Sequence, residues 1–261
     1  MTLNIENHLF IAEQIENIAL IKLKKNLIRQ LTDLNAKESL FKYLHEVRDS
    51  KSIKVVLCVG SPEKIKSREM IKFLGELADS GEDIKQITRV YNAINQLILF
   101  LQSINKLVIH ADGGDVLSLF LNVSLACDYR IIGDKTVFQY PTRELGLVPK
   151  GGGIFFLARA IGTGKTLELI LSGKDITAYE ALELGIVDKV VPSDDIENRA
   201  FEIAEDVAQK PLSLISATKK LLISSSEDLT TFLEKENSLL LEHIRSDDFQ
   251  HCLETFQQAQ E

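Results

Sequence analysis

The side chains with chemical potential crowd the middle of the chain. Lys64, Lys66, Arg68 and Lys72 form a small basic cluster, a pattern that fits contact with a phosphate as well as it fits a solvated face. His110 closes an apolar run at residues 107–109. A histidine there has two readings, a proton carrier or a satisfied structural residue, and the structural one is the expectation. Lys150 stands directly before Gly151-Gly152-Gly153, at the start of a glycine-rich helix. Gly162-Thr163-Gly164-Lys165-Thr166 suggests a phosphate loop. That pattern needs a glycine five places before Gly164, where Arg159 stands, and residues 154–160 read as helix where a strand is required. Gly151 to Gly153 lack the dinucleotide spacing, and Ser118 lacks the G-x-S-x-G context of a nucleophile. Cys58, Cys127 and Cys252 are odd in number and have no C-x-x-C spacing, so they read as reduced thiols and not as a disulfide framework or zinc site.

These residues need elements to position them. Residues 8–14 and 18–24 read as strands around a turn at Glu16-Asn17, 36–47 as a helix and 54–59 as a buried strand. Ile87, Tyr91, Ile94, Ile98 and Leu101 recur at steps of four and three, one apolar stripe on a helix. Residues 107–109 read as a strand, 116–126 as a helix buried on every side, and 129–132 and 136–140 as strands. Strand and helix alternate to about Pro192, which predicts an α/β core with crossover connections. From Asp194 onward only helix is expected. Leu229, Phe232, Leu233, Leu239 and Leu240 predict a packing or oligomer face there.

Composition narrows the function classes. The 261 residues are 45% hydrophobic and 26% charged, with a formal net charge of −8. An acidic chain argues against a nucleic-acid partner. No stretch approaches the roughly 20 apolar residues of a membrane helix, so no membrane role is expected. The N-terminus has neither the basic nor the apolar region of a secretory signal, and the expected location is cytoplasmic. No metal site is expected.

Three stretches carry a family resemblance. Residues 161–192, IGTGKTLELILSGKDITAYEALELGIVDKVVP, resemble the crotonase (enoyl-CoA hydratase/isomerase) superfamily in register at several Gly, Ala and Glu positions. Residues 125–153, LACDYRIIGDKTVFQYPTRELGLVPKGGG, resemble its adjoining active-site region, and residues 54–70 its first oxyanion-hole loop. The resemblance implies a crotonase-like core of stacked ββα turns over residues 1–192. It also implies a helical C-terminal oligomerisation region over 193–261, a homo-trimer or hexamer, and an acyl-CoA thioester substrate. No cofactor is implied beyond coenzyme A as part of that substrate. The family's shared device is a pair of backbone N–H groups that bind the thioester oxygen as it gains charge, worth several kcal/mol.

Carried over position by position, the first backbone donor is Lys66, in the loop Lys66-Ser67-Arg68-Glu69, where a glycine is expected at Ser67. The second is Leu119, because the family's glycine run falls on Ser118-Leu119-Phe120. Leu and Phe there imply a reshaped or closed acyl pocket. The two glutamates of a hydratase fall on Asn122 and Thr142, neither of which is a general base at neutral pH. Glu144 lies two places on. The aspartate used by other members falls on Lys150, which would be a base if desolvated; the expected reading is an ordinary surface lysine before a glycine-rich helix start. Lys64, Arg68 and Lys72 lie where the family's loop approaches the coenzyme A nucleotide.

The resemblance therefore implies an acyl-CoA enzyme of non-hydratase chemistry, such as an isomerase, decarboxylase or thioester hydrolase. Two alternatives stand beside it: a catalytically impaired binding subunit, and a hydratase using displaced residues such as Glu144 or Glu69.

Overall fold

The computed structural model describes residues 3–24, 34–79, 84–223 and 228–258. Three strands open the chain, β1 (Ile5–Glu6), β2 (Phe10–Ile15) and β3 (Ile18–Leu23). Helix α1 (Leu34–Asp49) leads to β4 (Val55–Val59), and helices α2 (Ser67–Asp79) and α3 (Ile84–Ser103) lead to β5 (Leu107–Asp112). Then come β6 (Asp115–Leu117), α4 (Ser118–Ser124), β7 (Tyr129–Gly133), β8 (Val137–Gln139) and a 3₁₀ turn (Pro141–Leu145). Helices α5 (Gly153–Ile161) and α6 (Thr163–Ser172) precede β9 (Ile176–Thr177), α7 (Ala178–Glu183) and β10 (Lys189–Val191). Four helices finish the chain: α8 (Ile196–Ala208), α9 (Leu212–Ile223), α10 (Leu229–His243) and α11 (Asp247–Gln258).

The strands form two sheets. The larger runs β1-β2-β3-β4-β5-β7-β10, antiparallel at its first two junctions and parallel after that. The smaller runs β6-β8-β9. The first five strands all join the larger sheet, and from β5 onward the chain passes back and forth between the two sheets. Strands such as Val55-Val56-Leu57 are apolar without alternation because both faces of the large sheet are covered. On one face Val55, Leu57, Ile109 and Ile131 meet Ala200, Ala204 and Ala208 of α8, whose spacing of four lets the helix approach closely. On the other, Val56 and Val108 meet Tyr43 and Leu44 of α1 and Ile94 and Ile98 of α3.

The 161–192 segment folds on local signals. Helix α6 stops at Gly173, whose φ of 54° favours glycine. Thr177 and Glu180 then form a reciprocal capping box that starts α7.

One expectation changes. Residues 116–126 are not one helix: Asp115–Leu117 pair with Val137–Gln139 as a strand, and only Ser118–Ser124 are helical. A run that is apolar on every side fits a buried strand as well as a buried helix, and pairing with β8 decides it. For the C-terminal leucines the packing alternative holds, within the chain itself. Leu229, Leu233 and Leu240 are buried in the same cluster as Ile94 and Ile98, and Phe232 packs on Phe155 with ring centroids 5.4 Å apart. Leu239 stays 36% exposed.

An ion pair ties α9 to the sheet. Lys219 Nζ lies 2.6 Å from Asp128 Oδ2 and also donates to the carbonyls of Leu101 and Lys106. Asp128 Oδ2 in turn accepts from the Val108 amide at 2.7 Å. Lys219→Met would take the cation from that half-buried carboxylate, and we expect a loss of about 1–3 kcal/mol, read as a lower midpoint in urea unfolding.

Candidate functional site

Helix α4 begins behind Leu117 with no side-chain cap. The amide of Leu119, in its first turn, has no acceptor within the helix. The Lys66 amide lies just before α2 and faces Glu69 Oε2 at 3.4 Å. The two proposed donors therefore sit on elements that meet: Ile65, Phe73 and Leu74 pack with Leu119 and Phe120 around Met70 and Leu117. Leu119 and Phe120 are half-buried in this contact, and Ser118 is buried. They leave space on either side. A small cavity of about 60 Å³ is lined by Met70, Phe73, Tyr91, Leu119 and Lys150. A larger one of about 180 Å³ is lined by Ile65, His110, Leu119 and Phe120.

Lys150 is the charged residue of the small cavity, and it is only 7% exposed. Its Nζ lies 2.7 Å from Glu236 Oε2, donates to Asn95 Oδ1, and sits 5.6 Å from the centroid of the Tyr91 ring. Burial pushes the ammonium below the ordinary lysine range, while the Glu236 carboxylate pulls the other way. Glu236 is itself buried and accepts two further bonds, from Gly152 N at 2.9 Å and Gly151 N at 3.1 Å. Asn95 donates onward to the Leu233 carbonyl. One carboxylate on α10 thus holds the lysine and the glycine turn that carries it.

Asn122 supports the same turn. Its Nδ2 donates to the Lys150 carbonyl at 2.9 Å, and its Oδ1 is buried without a partner among the described residues. A Cβ on Gly153 would collide with the Asn122 amide, so glycine there admits the side chain. Glu144 lies in the 3₁₀ turn and is exposed, away from this cluster. Thr142 belongs to that turn, but its side chain lies outside the described residues.

The basic cluster is largely spoken for. Lys64 is ion-paired with Asp112, whose side chain is 8% exposed, and Lys72 lies 3.9 Å from Glu76 one turn away on α2. Lys66 and Arg68 are exposed. His110 projects into the larger cavity, and burial lowers its pKa below the usual imidazole value, with Asp112 opposing. The glycine-lysine run at 162–166 joins α5 to α6, and Lys165 pairs with Glu168 on the surface.

Sequence reasoning brought Lys150, Asn122 and Leu119 together and missed Glu236. Its partner lies 86 positions away. A signal existed: Glu236 falls on the stripe Leu229, Leu233, Glu236, Leu240 of α10, an acid at an apolar position.

Comparison with known proteins bears on the same residues. The sequence model of the enoyl-CoA hydratase/isomerase family matches residues 13–261. YngF of Bacillus subtilis (strain 168), a protein of the enoyl-CoA hydratase/isomerase type, is 29% identical over 93% of this chain and 92% of its own. A trans-2-decenoyl-[acyl-carrier-protein] isomerase of Streptococcus mutans is 30% identical over 60% of this chain and 63% of its own. The crystal structure of an enoyl-CoA hydratase from Bacillus halodurans superposes with a TM-score of 0.80 at 24% identity, covering 94% of this chain and 99% of that one, a likeness of fold. With a family match over nearly its whole length and the matching two-sheet core, the chain belongs to the enoyl-CoA hydratase/isomerase family.

Proposed function

We propose that this chain is an acyl-thioester isomerase in which Lys150 moves the proton and Glu236 balances its charge. The observation that carries the reading is Lys150 Nζ at the wall of an apolar cavity, 2.7 Å from a buried carboxylate and beside Leu119. A desolvated lysine is a base with a lowered pKa. Its neutral amine would take the proton from the carbon next to the thioester carbonyl of a 3-enoyl chain. The electron pair moves into a dienolate whose oxygen is held by the backbone donors of Lys66 and Leu119. The new ammonium faces Glu236, and it returns the proton two carbons further on, giving the 2-enoyl thioester with no atom gained or lost. One residue placed between both carbons suffices, whereas hydration needs a second group to handle water. The isomerase name of the Streptococcus mutans relative supports this choice. The substrate is an acyl thioester of coenzyme A or of a carrier protein, and the assembly is a homo-trimer or hexamer.

A second reading, a binding subunit without chemistry, is favoured by Leu119 and Phe120, whose side chains occupy the contact between the two donor elements. Calorimetric titration with acetoacetyl-CoA separates the two, because the isomerase reading requires thioester binding at this site.

We expect conversion of a 3-enoyl thioester to its 2-enoyl isomer, followed by the rise of the conjugated thioester absorbance. Lys150→Met should lower kcat by about 10²–10⁴, and no conversion by the unmodified protein would refute the assignment. In the active enzyme the neutral amine is the working form, so kcat should rise with pH along a limb set by an apparent pKa below that of free lysine. Hydration of crotonyl-CoA should stay far below the isomerase rate. Asn122 is committed to the Lys150 carbonyl, and Glu144 is exposed. Rapid loss of the enoyl absorbance in that assay would favour the hydratase reading.

A further inference from the structure

The larger cavity has no part in the chemistry above. It holds about 180 Å³ between the large sheet and helices α1, α3 and α4, with walls whose exposed surface is mostly apolar. A cavity near this size, lined only by apolar side chains, stays dry and takes up a benzene-sized guest. Polar residues also line this one, His110 among them, and His110 Nδ1 is buried without a hydrogen-bond partner among the described residues. The other polar groups at its edge are occupied. Lys64 and Asp112 hold each other. Ser61 Oγ donates to the Glu63 carbonyl at 3.0 Å, and Ser124 Oγ to the Leu121 carbonyl at 2.7 Å. Cys58 lies opposite His110 on the neighbouring strand, and burial pushes its thiol up to about 12, so it remains a neutral, weak donor.

An uncompensated buried nitrogen costs stability unless a guest supplies the missing bond. A hydroxyl can serve Nδ1 whichever ring nitrogen carries the proton, because it both donates and accepts, whereas a carbonyl serves one tautomer only. The chamber also has a way in. Gly60, Ser61, Lys64 and Asp112 line both the chamber and an open groove on the protein surface, so the Lys64–Asp112 pair stands at the threshold. Gly60 makes room for it, since a Cβ there would collide with the Asp112 carboxylate.

We infer that this chamber is a binding site for a compact, uncharged apolar group bearing one hydroxyl, of the class of a monocyclic phenol or a short hydroxylated chain, with His110 as its hydrogen-bond partner. Such a group reaches the chamber either as a free small molecule or as the acyl part of a thioester lying in the groove. The inference stands apart from the isomerase reading, because a free phenol tests it without any thioester chemistry.

The experiment is a calorimetric titration of the full chain with p-cresol and with toluene, which share a shape and differ in the hydroxyl. In the unmodified protein p-cresol should bind about 5–10-fold more tightly than toluene, the worth of one buried hydrogen bond. His110→Leu should bring the two affinities together and raise the melting temperature of the free protein. If that variant does not fold, the ¹⁵N resonances of the His110 ring in the unmodified protein serve instead, and p-cresol should shift them while toluene does not. Absence of binding by both probes, a preference for p-cresol that survives in His110→Leu, or an unmoved His110 resonance would overturn the assignment. A competition with acetoacetyl-CoA identifies the source. Displacement of p-cresol assigns the chamber to the acyl group, and simultaneous binding assigns it to a free small molecule. Failure of acetoacetyl-CoA to bind while p-cresol does would count against the isomerase reading alone.

Discussion

The site depends on one buried carboxylate. Glu236 receives the Lys150 ammonium and the amides of Gly151 and Gly152, and it reaches them from a helix that lies 86 residues further along the chain. Removing two charges from water costs several kcal/mol per ion, and the pair is tolerable only when further hydrogen bonds complete it. Here they do: Asn95 takes another ammonium proton, the Tyr91 ring lies beside it, and two amides complete the carboxylate. The same bonds fix the glycine turn ahead of α5 and clamp α10 over α3. A hydrophobic pair of similar volume would hold these elements about as well. The ion pair therefore adds something that packing does not need, a titratable group fixed at the wall of an apolar cavity.

The sheet supplies rigidity around that point. Its central strands are buried on both faces, with alanines of α8 drawn close on one side and larger side chains of α1 and α3 on the other. A second ion pair, Lys219–Asp128, fastens α9 to the starts of β5 and β7. Between these fixed parts the packing is incomplete. Leu119 borders both cavities, one with a buried lysine in its wall and one with a histidine. The Leu119 side chain stands between the two spaces, and the shape of each decides what can enter it.

Much of this was legible in the sequence, and the reason is local. The stripe from Ile87 to Leu101, the apolar runs of β4 and β5, and the punctuation of residues 161–192 by Gly173, Thr177, Glu180 and Gly185 all act within a few residues of themselves. Local rules therefore assign helix, strand and stop correctly there. They fail at Asp115–Leu117, because an apolar run carries no period and pairing with Val137–Gln139 decides its state. They fail again at the leucines of α10, whose spacing announces an apolar face without naming what covers it.

The functional residues divide in the same way. The family resemblance implied a helix start at Leu119, with Asn122 and Thr142 in place of a hydratase's two glutamates, and the helix Ser118–Ser124 does begin there. Sequence left Lys150 suspended between a surface lysine and a buried base, because burial is a property of whatever packs above it. Only the tertiary structure set Glu236, Asn95 and Tyr91 around that ammonium, and only it placed His110 at a cavity with its Nδ1 buried and unpartnered among the described residues. Ionisation depends on desolvation and on charges brought close through space. Those are fixed by contacts between residues far apart in the chain, and no pattern within one segment carries them.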